Sequence, residues 1–256
     1  RFQVLRADSR RLYTLLVSPP PKPPPVPPTL PARSAAVRYA IAAVAGAAGV
    51  LCFAPFALFW LAPLVCLGLF HLLRSASSVR QAALTGLAFG LGFFLTGVSW
   101  VYVSLSVFGG MPWWLAGIAA FLFCAVMALF PMLAGALFKR WQPADGWRQV
   151  LCFAALIATV DWLRSWIFTG FPWLVLGYSQ APPSPLAGFA PLLGVHGLSL
   201  LVTLTGGALL LRWRAGLALL ALLVGTGFAL QQIQWTSPVG PPVSVALIQG
   251  NIPQEM

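Results

Sequence analysis

Two side chains of opposite charge stand three positions apart in an apolar run, Asp161 and Arg164, at the start of DWLRSWIFTGFPWLVLGYSQ (Asp161–Gln180). On a helix that spacing puts both on one face, where a carboxylate and a guanidinium can pair. Just downstream, Thr169-Gly170-Phe171-Pro172-Trp173 breaks the helical pattern, because glycine and proline stop a helix, and it crowds aromatic rings into a turn. Two readings stand side by side. In one, the pair neutralises itself at a helix end and the aromatics form an interfacial belt; in the other, the stretch is a functional surface. Groups able to do covalent or metal chemistry are sparse elsewhere. Cys52, Cys66, Cys124 and Cys152 lie in apolar runs without C-x-x-C spacing, so they read as buried small hydrophobes rather than a metal site, a disulfide framework or nucleophiles. His71 and His196 read as packing residues. Neither a metal nor a cofactor is expected.

The elements that hold this stretch are membrane helices. Hydrophobic residues make up 59% of the chain, charged residues 7%, and the mean hydropathy is +0.87, against soluble averages of roughly 45–50% apolar and about 25% charged. The net charge of +11 does not indicate nucleic acid, because the Lys and Arg residues sit singly or in pairs between apolar runs instead of covering a soluble face. On the rule of roughly 20 apolar residues per helix, seven spans are expected: Ala36 to Phe53, Phe56 to Leu73, Ala82 to Val103, Pro112 to Phe138, Gln149 to Phe168, Pro191 to Leu211 and Ala215 to Gln231. The third carries Gly86, Gly90 and Gly97, small residues that let helices approach closely.

Charge placement tests the count. With a cytoplasmic N-terminus, seven spans put Arg1, Arg6, Arg10, Arg11, Lys22, Arg33, Arg38, Arg74, Arg80, Lys139, Arg140, Arg148, Arg212 and Arg214 on one side, fourteen of the fifteen basic residues. Only Arg164 falls on the other, in accord with the positive-inside rule.

Residues 1–35 form a basic lead in which Pro19 to Pro31 holds nine prolines, read as an extended, disordered linker. Residues 36–235 are the transmembrane helical domain, and residues 236–256 are a hinge followed by Val243 to Ile248, a β-branched run read as a strand. A lone strand needs partners, so the run is expected to open a further domain in a longer protein.

Four phrases in order then resemble the bacterial apolipoprotein N-acyltransferases: LCFAPF (Leu51–Phe56), SWVYVS (Ser99–Ser104), FTGFPWLVLGYSQ (Phe168–Gln180) and VALIQGNIPQ (Val245–Gln254). The resemblance covers residues 35–256. It implies an all-α polytopic bundle of about seven transmembrane helices followed by the first β-strand of an α/β nitrilase-like domain. The implied reaction is the last step of lipoprotein maturation, transfer of an acyl chain from a membrane phospholipid to the N-terminal α-amino group of the diacylglyceryl-cysteine of a diacylated lipoprotein. The family uses a Cys nucleophile, a Glu base and a Lys in its nitrilase-like domain. None of the three is expected in this chain, which alone should be inactive. The resemblance places Gly170, Phe171, Pro172 and Trp173 on the periplasmic side as the floor of the active site, with Trp173 important for activity; Tyr102, Tyr178 and Gln180 read either as lip residues or as interfacial aromatics and a turn. Where the family has Glu-x-x-Arg, this chain has the shorter Asp161 before Arg164, a structural charge pair for which a charge swap is expected to rescue the single changes in part. It also implies a monomer in the bacterial inner membrane, with its C-terminal domain periplasmic and no nucleic-acid partner. A transporter or channel, or a purely anchoring membrane domain, is the alternative, although no inverted repeat and no second broken helix match the one at Gly170.

Overall fold

A computed structural model describes residues 2–7, 12–17, 32–181, 183–241 and 243–250. Its main body is helical: α1 (Ala32–Gly49), α2 (Ala62–Arg74), α3 (Val79–Gly97), the short α4 (Trp100–Val103), α5 (Trp113–Trp141), α6 (Gly146–Arg164), α7 (Ala190–Leu211) and α8 (Trp213–Gln231). Local chemistry sets several of the ends. Ser78 caps α3 by accepting from the Gln81 amide, and Asp145 caps α6 by accepting from the Trp147 amide, each meeting one of the amides that a helix start leaves unpaired.

Every expected span falls on a helix, and by length and composition alone five of the seven meet the requirement for crossing a membrane. Among the described residues, five helical segments are long and apolar enough to cross a membrane: Ala35–Cys52, Val79–Gly97, Trp113–Trp141, Pro185–Leu211 and Trp213–Gln231. The second expected span is the shorter apolar helix Phe59–Arg74. The fifth, α6, is diluted by Arg148, Asp161 and Arg164 and falls outside that group. The chain is a multi-pass membrane protein by these segments.

In lipid, helices associate by close packing more than by hydrophobic drive, and α3 is built for it. It runs between α1 and α5. A Cβ at Gly92 would run into the Ala43 carbonyl of α1, and one at Gly86 into the Pro131 carbonyl of α5. On its other flank the bundle is completed by α7, which packs on α2, α6 and α8. Between the two halves the rings of Phe70, Phe138 and Phe153 meet at 5.0 to 6.1 Å. The path of α7 is broken near its start, where Gly194 has φ 63°.

The chain ends differ from expectation. Val243–Ile248 forms no strand, and no partner for it exists among the described residues, so the expected first strand is not present here. Conversely, the lead forms an antiparallel hairpin, β1 (Phe2–Ala7) with β2 (Leu12–Val17), Phe2 facing Val17 and Val4 facing Leu15. The proline run Pro19–Pro31 lies outside the described residues.

Candidate functional site

Helix α6 ends at Arg164, and its last turn carries the charge pair. Arg164 Nη2 lies 3.2 Å from Asp161 Oδ1, and the arginine side chain is 2% exposed. A buried arginine needs every donor answered, and the following loop supplies acceptors: Arg164 Nη1 donates to the carbonyls of Phe171 and Trp173, each at 2.6 Å. The second carboxylate oxygen faces the same loop. Asp161 Oδ2 accepts from the Leu176 amide at 3.0 Å and from the Ser199 hydroxyl at 3.2 Å, while Ser199 Oγ accepts from the Gly177 amide at 2.8 Å. The Phe94 ring of α3 closes the guanidinium from one side, 5.2 Å from its centre to Cζ. The pair thus holds three backbone groups of residues 171–177 directly, two through Arg164 and one through Asp161, and Ser199 of α7 links Asp161 to a fourth, the Gly177 amide.

The loop so held is strained. Phe168, Thr169 and Leu174 have φ of 52°, 73° and 57°, in a left-handed region that costs a side-chain-bearing residue of order 1–3 kcal/mol and clusters at functional sites. Gly170 has φ 80° and approaches the Ser165 carbonyl so closely that a Cβ would collide with it. Gly177 passes the Val195 carbonyl of α7 equally closely, beside the break at Gly194.

Around the loop the aromatics form one surface. Trp173 is half exposed and packs on Trp100 at 5.3 Å and on Phe171 at 6.3 Å, and Phe171 meets Phe123 of α5 edge-on at 4.9 Å. Two hollows flank it. A groove of about 530 Å³ runs between α5 and the turn, lined by Leu122, Met127, Phe130, Arg164 and Phe168. A shallower one of about 390 Å³ is lined by Phe53, Pro172, Trp173 and Tyr178. Beneath, an apolar cavity of about 70 Å³ between the helices is walled by Cys66, Phe93, Phe130, Phe153, Asp161 and Arg164. Phe130 and Arg164 therefore separate the inner cavity from the outer groove.

A family model described as Apolipoprotein N-acyltransferase N-terminal domain matches residues 45–209, which span α2 to α7 and the whole of this site. The chain belongs to the apolipoprotein N-acyltransferase family. It is 50% identical over 222 residues to an apolipoprotein N-acyltransferase of Nitrosomonas europaea, a match covering 82% of this chain and 44% of that protein. It is similarly 45% identical over 222 residues to one of Chromobacterium violaceum (84% and 43%) and 43% identical over 225 residues to one of Ralstonia nicotianae (84% and 43%). The chain thus spans less than half the length of these curated relatives.

Within this N-acyltransferase domain the residues singled out in the sequence separate into groups. Asp161, Arg164, Gly170, Phe171, Pro172 and Trp173 come together in and around one loop. Tyr178, half exposed, shares the shallower hollow with Pro172 and Trp173. Tyr102 is apart from them, on a surface beside Trp113, Trp114 and Phe121. Gln180 is buried: its Nε2 donates to the Phe59 carbonyl at 3.3 Å and to Ser179 Oγ at 2.9 Å, and its Oε1 accepts from Ser184 at 2.8 Å. It ties loops together below the surface and does not line it. Among the described residues no group of three metal-ligating side chains occurs, and Cys52, Cys66 and Cys124 are buried.

Ser199 is the partner that sequence reasoning missed. It stands in an apolar run, LSLLVTLT, where a hydroxyl ordinarily bonds back to its own helix, as Thr203 does to the Ser199 carbonyl at 2.6 Å. Nothing local distinguishes the two.

Proposed function

We propose that this chain is the membrane part of an enzyme that moves an acyl chain from a membrane phospholipid to the N-terminal α-amino group of the diacylglyceryl-cysteine of a lipoprotein, and that the Gly170–Trp173 turn is the floor on which the transfer takes place. The observation that carries this reading is the aromatic turn itself, locked from below by Asp161, Arg164 and Ser199 and opening sideways into an apolar groove along α5. Both substrates are anchored in the bilayer by acyl chains, so the reaction needs a mouth at the interface that lipid reaches laterally. The names of the relatives supply the reaction class.

The covalent step is assigned to residues outside these 256, in the nitrilase-like domain that the resemblance implies. In support, Cys52, Cys66 and Cys124 are buried among the helices, away from the turn surface. The orientation follows from charge: the helix ends opposite the turn carry Arg38, Arg74, Arg80, Lys139, Arg140, Arg148, Arg212 and Arg214, whereas the end with the turn carries Arg164. The positive-inside rule then puts the turn on the periplasmic side of the inner membrane, with seven crossings.

The test is Trp173→Ala in the full-length protein, assayed for transfer of a labelled acyl chain to a diacylated lipopeptide. Activity should fall roughly tenfold or more, equivalent to about 1.4 kcal/mol of transition-state stabilisation, while the unfolding temperature in detergent changes little. Full activity in that variant would remove the turn from the reaction.

A further inference from the structure

The helix ends opposite the turn carry a second polar cluster, separate from the one around Asp161 and Arg164. Cations from three helices converge on the last turn of α2. Arg38 of α1 donates through Nη1 to the Leu72 carbonyl at 2.6 Å and to Ser75 Oγ at 3.2 Å, and through Nη2 to the Ser75 carbonyl at 3.4 Å. Lys139 of α5 donates to the Arg74 carbonyl at 3.4 Å and to Gln142 Oε1 at 2.7 Å. Arg74 itself donates only through Nε, to Gln149 Oε1 of α6 at 2.9 Å, so both of its Nη groups are without a protein acceptor among the described residues.

Part of this gathering is helix capping, since the carbonyls at a helix C-terminus attract cations. The macrodipole there amounts to about half an elementary charge, which leaves most of three positive charges unanswered. Among the described residues no carboxylate answers them either. Among the described residues the ion pairs are Arg148 with Asp145 and Arg164 with Asp161. Arg38 is partly desolvated, its Nε buried without a partner, so its charge is screened less than that of a surface side chain. Exposed Trp141 and Trp147 mark a membrane interface at this level. From Arg38 a stripe of exposed apolar residues, Val37, Ile41 and Val44, runs down one face of α1.

We propose that Arg38, Arg74 and Lys139 form a binding site for the phosphate of an anionic phospholipid, whose acyl chains lie along the Val37–Ile41–Val44 stripe. The phosphate oxygens accept from the free Nη groups of Arg74 and from Lys139 Nζ, and Arg38 supplies field. Basic pockets between helix ends are the ordinary membrane device for holding such headgroups. A zwitterionic lipid carries no net charge to balance the cluster, and a free phosphate has no chains for the stripe.

The experiment titrates the purified protein in detergent with phosphatidylglycerol, with phosphatidylcholine of the same chain length, and with inorganic phosphate. It follows thermal unfolding and, by native mass spectrometry, retained lipid. Phosphatidylglycerol should raise the unfolding temperature and stay bound, and the other two should do neither. Arg74→Gln and Lys139→Gln should each weaken binding about fivefold, the worth of one cation near a lipid surface. Arg74→Lys should retain it, and Arg212→Gln, at the same end but in the turn between α7 and α8, should leave it unchanged. Equal stabilisation by inorganic phosphate would overturn the lipid as source. Equal response to phosphatidylcholine, or equal loss in Arg212→Gln, would overturn the site by reducing it to chain packing or bulk charge.

Discussion

At the scale of single residues, Arg164 matters more as a donor to backbone than as half of an ion pair. Replacing it with Gln leaves Asp161 unpaired and two carbonyls, those of Phe171 and Trp173, without their donor. Breaking a buried pair of this kind costs roughly 3–5 kcal/mol, which should appear as a large drop in the unfolding temperature of detergent-purified protein. The exchanged double variant, Asp161→Arg with Arg164→Asp, should not recover it. A carboxylate at position 164 would face carbonyl oxygens, and a guanidinium at 161 would face the Leu176 amide. The sequence alone suggests rescue, because it shows two opposite charges and not what else they touch. Recovery of the native unfolding temperature in the double variant would restore the simple pair.

At the scale of elements, the helices were legible and their partners were not. Apolar runs located α1, α3, α5, α7 and α8 to within a few residues, and the glycines of α3 announced close packing. That packing gives a direct comparison. Gly86→Ala places a methyl against the Pro131 carbonyl and should destabilise the bundle by about 1–3 kcal/mol, the usual cost of overpacking. Gly225→Ala in α8, where nothing lies within 4 Å of the added carbon, should be neutral or stabilising by up to about 1 kcal/mol through helix propensity. Thermal unfolding of the two variants checks both signs. The loop was legible only as a break. Its left-handed Phe168, Thr169 and Leu174 are types that do not favour that conformation, and Ser199 reaches its Gly177 amide from 22 residues away. Such features depend on tertiary contacts that override local preference. The hairpin β1–β2 is not legible in the sequence because its runs FQVLRA and LYTLLV are short and lead into a proline-rich segment.

At the scale of the molecule, the clearest asymmetry is electrical. Helix-end contacts gather Arg38, Arg74 and Lys139 together, and Gly146, at the start of α6, packs against Leu211, which brings Arg212 to the same end. The inferred orientation makes a labelling prediction. In intact cells an impermeant maleimide should modify Phe168→Cys, which replaces a residue 88% exposed at the turn, and should modify Arg140→Cys only after permeabilisation. The background from these residues is low because Cys52, Cys66 and Cys124 are buried and Cys152→Ser removes the half-buried fourth, and labelling of the parent without either new cysteine is subtracted. The reverse pattern would invert the protein in the membrane and separate the turn from the periplasm.

The way the Gly170–Trp173 turn is held also bears on what its side chains are free to do. Its main chain is tied to the Arg164 side chain at Phe171 and Trp173, and just beyond it to Asp161 and Ser199 at Leu176 and Gly177, in addition to the backbone bonds from the Gly170 amide to Ile167 and from the Phe171 amide to Arg164. The atoms that fix the path of the turn are therefore largely not the exposed ring atoms: a substitution at Trp173 leaves the anchoring bonds in place, whereas a change at Asp161, Arg164 or Ser199 removes them.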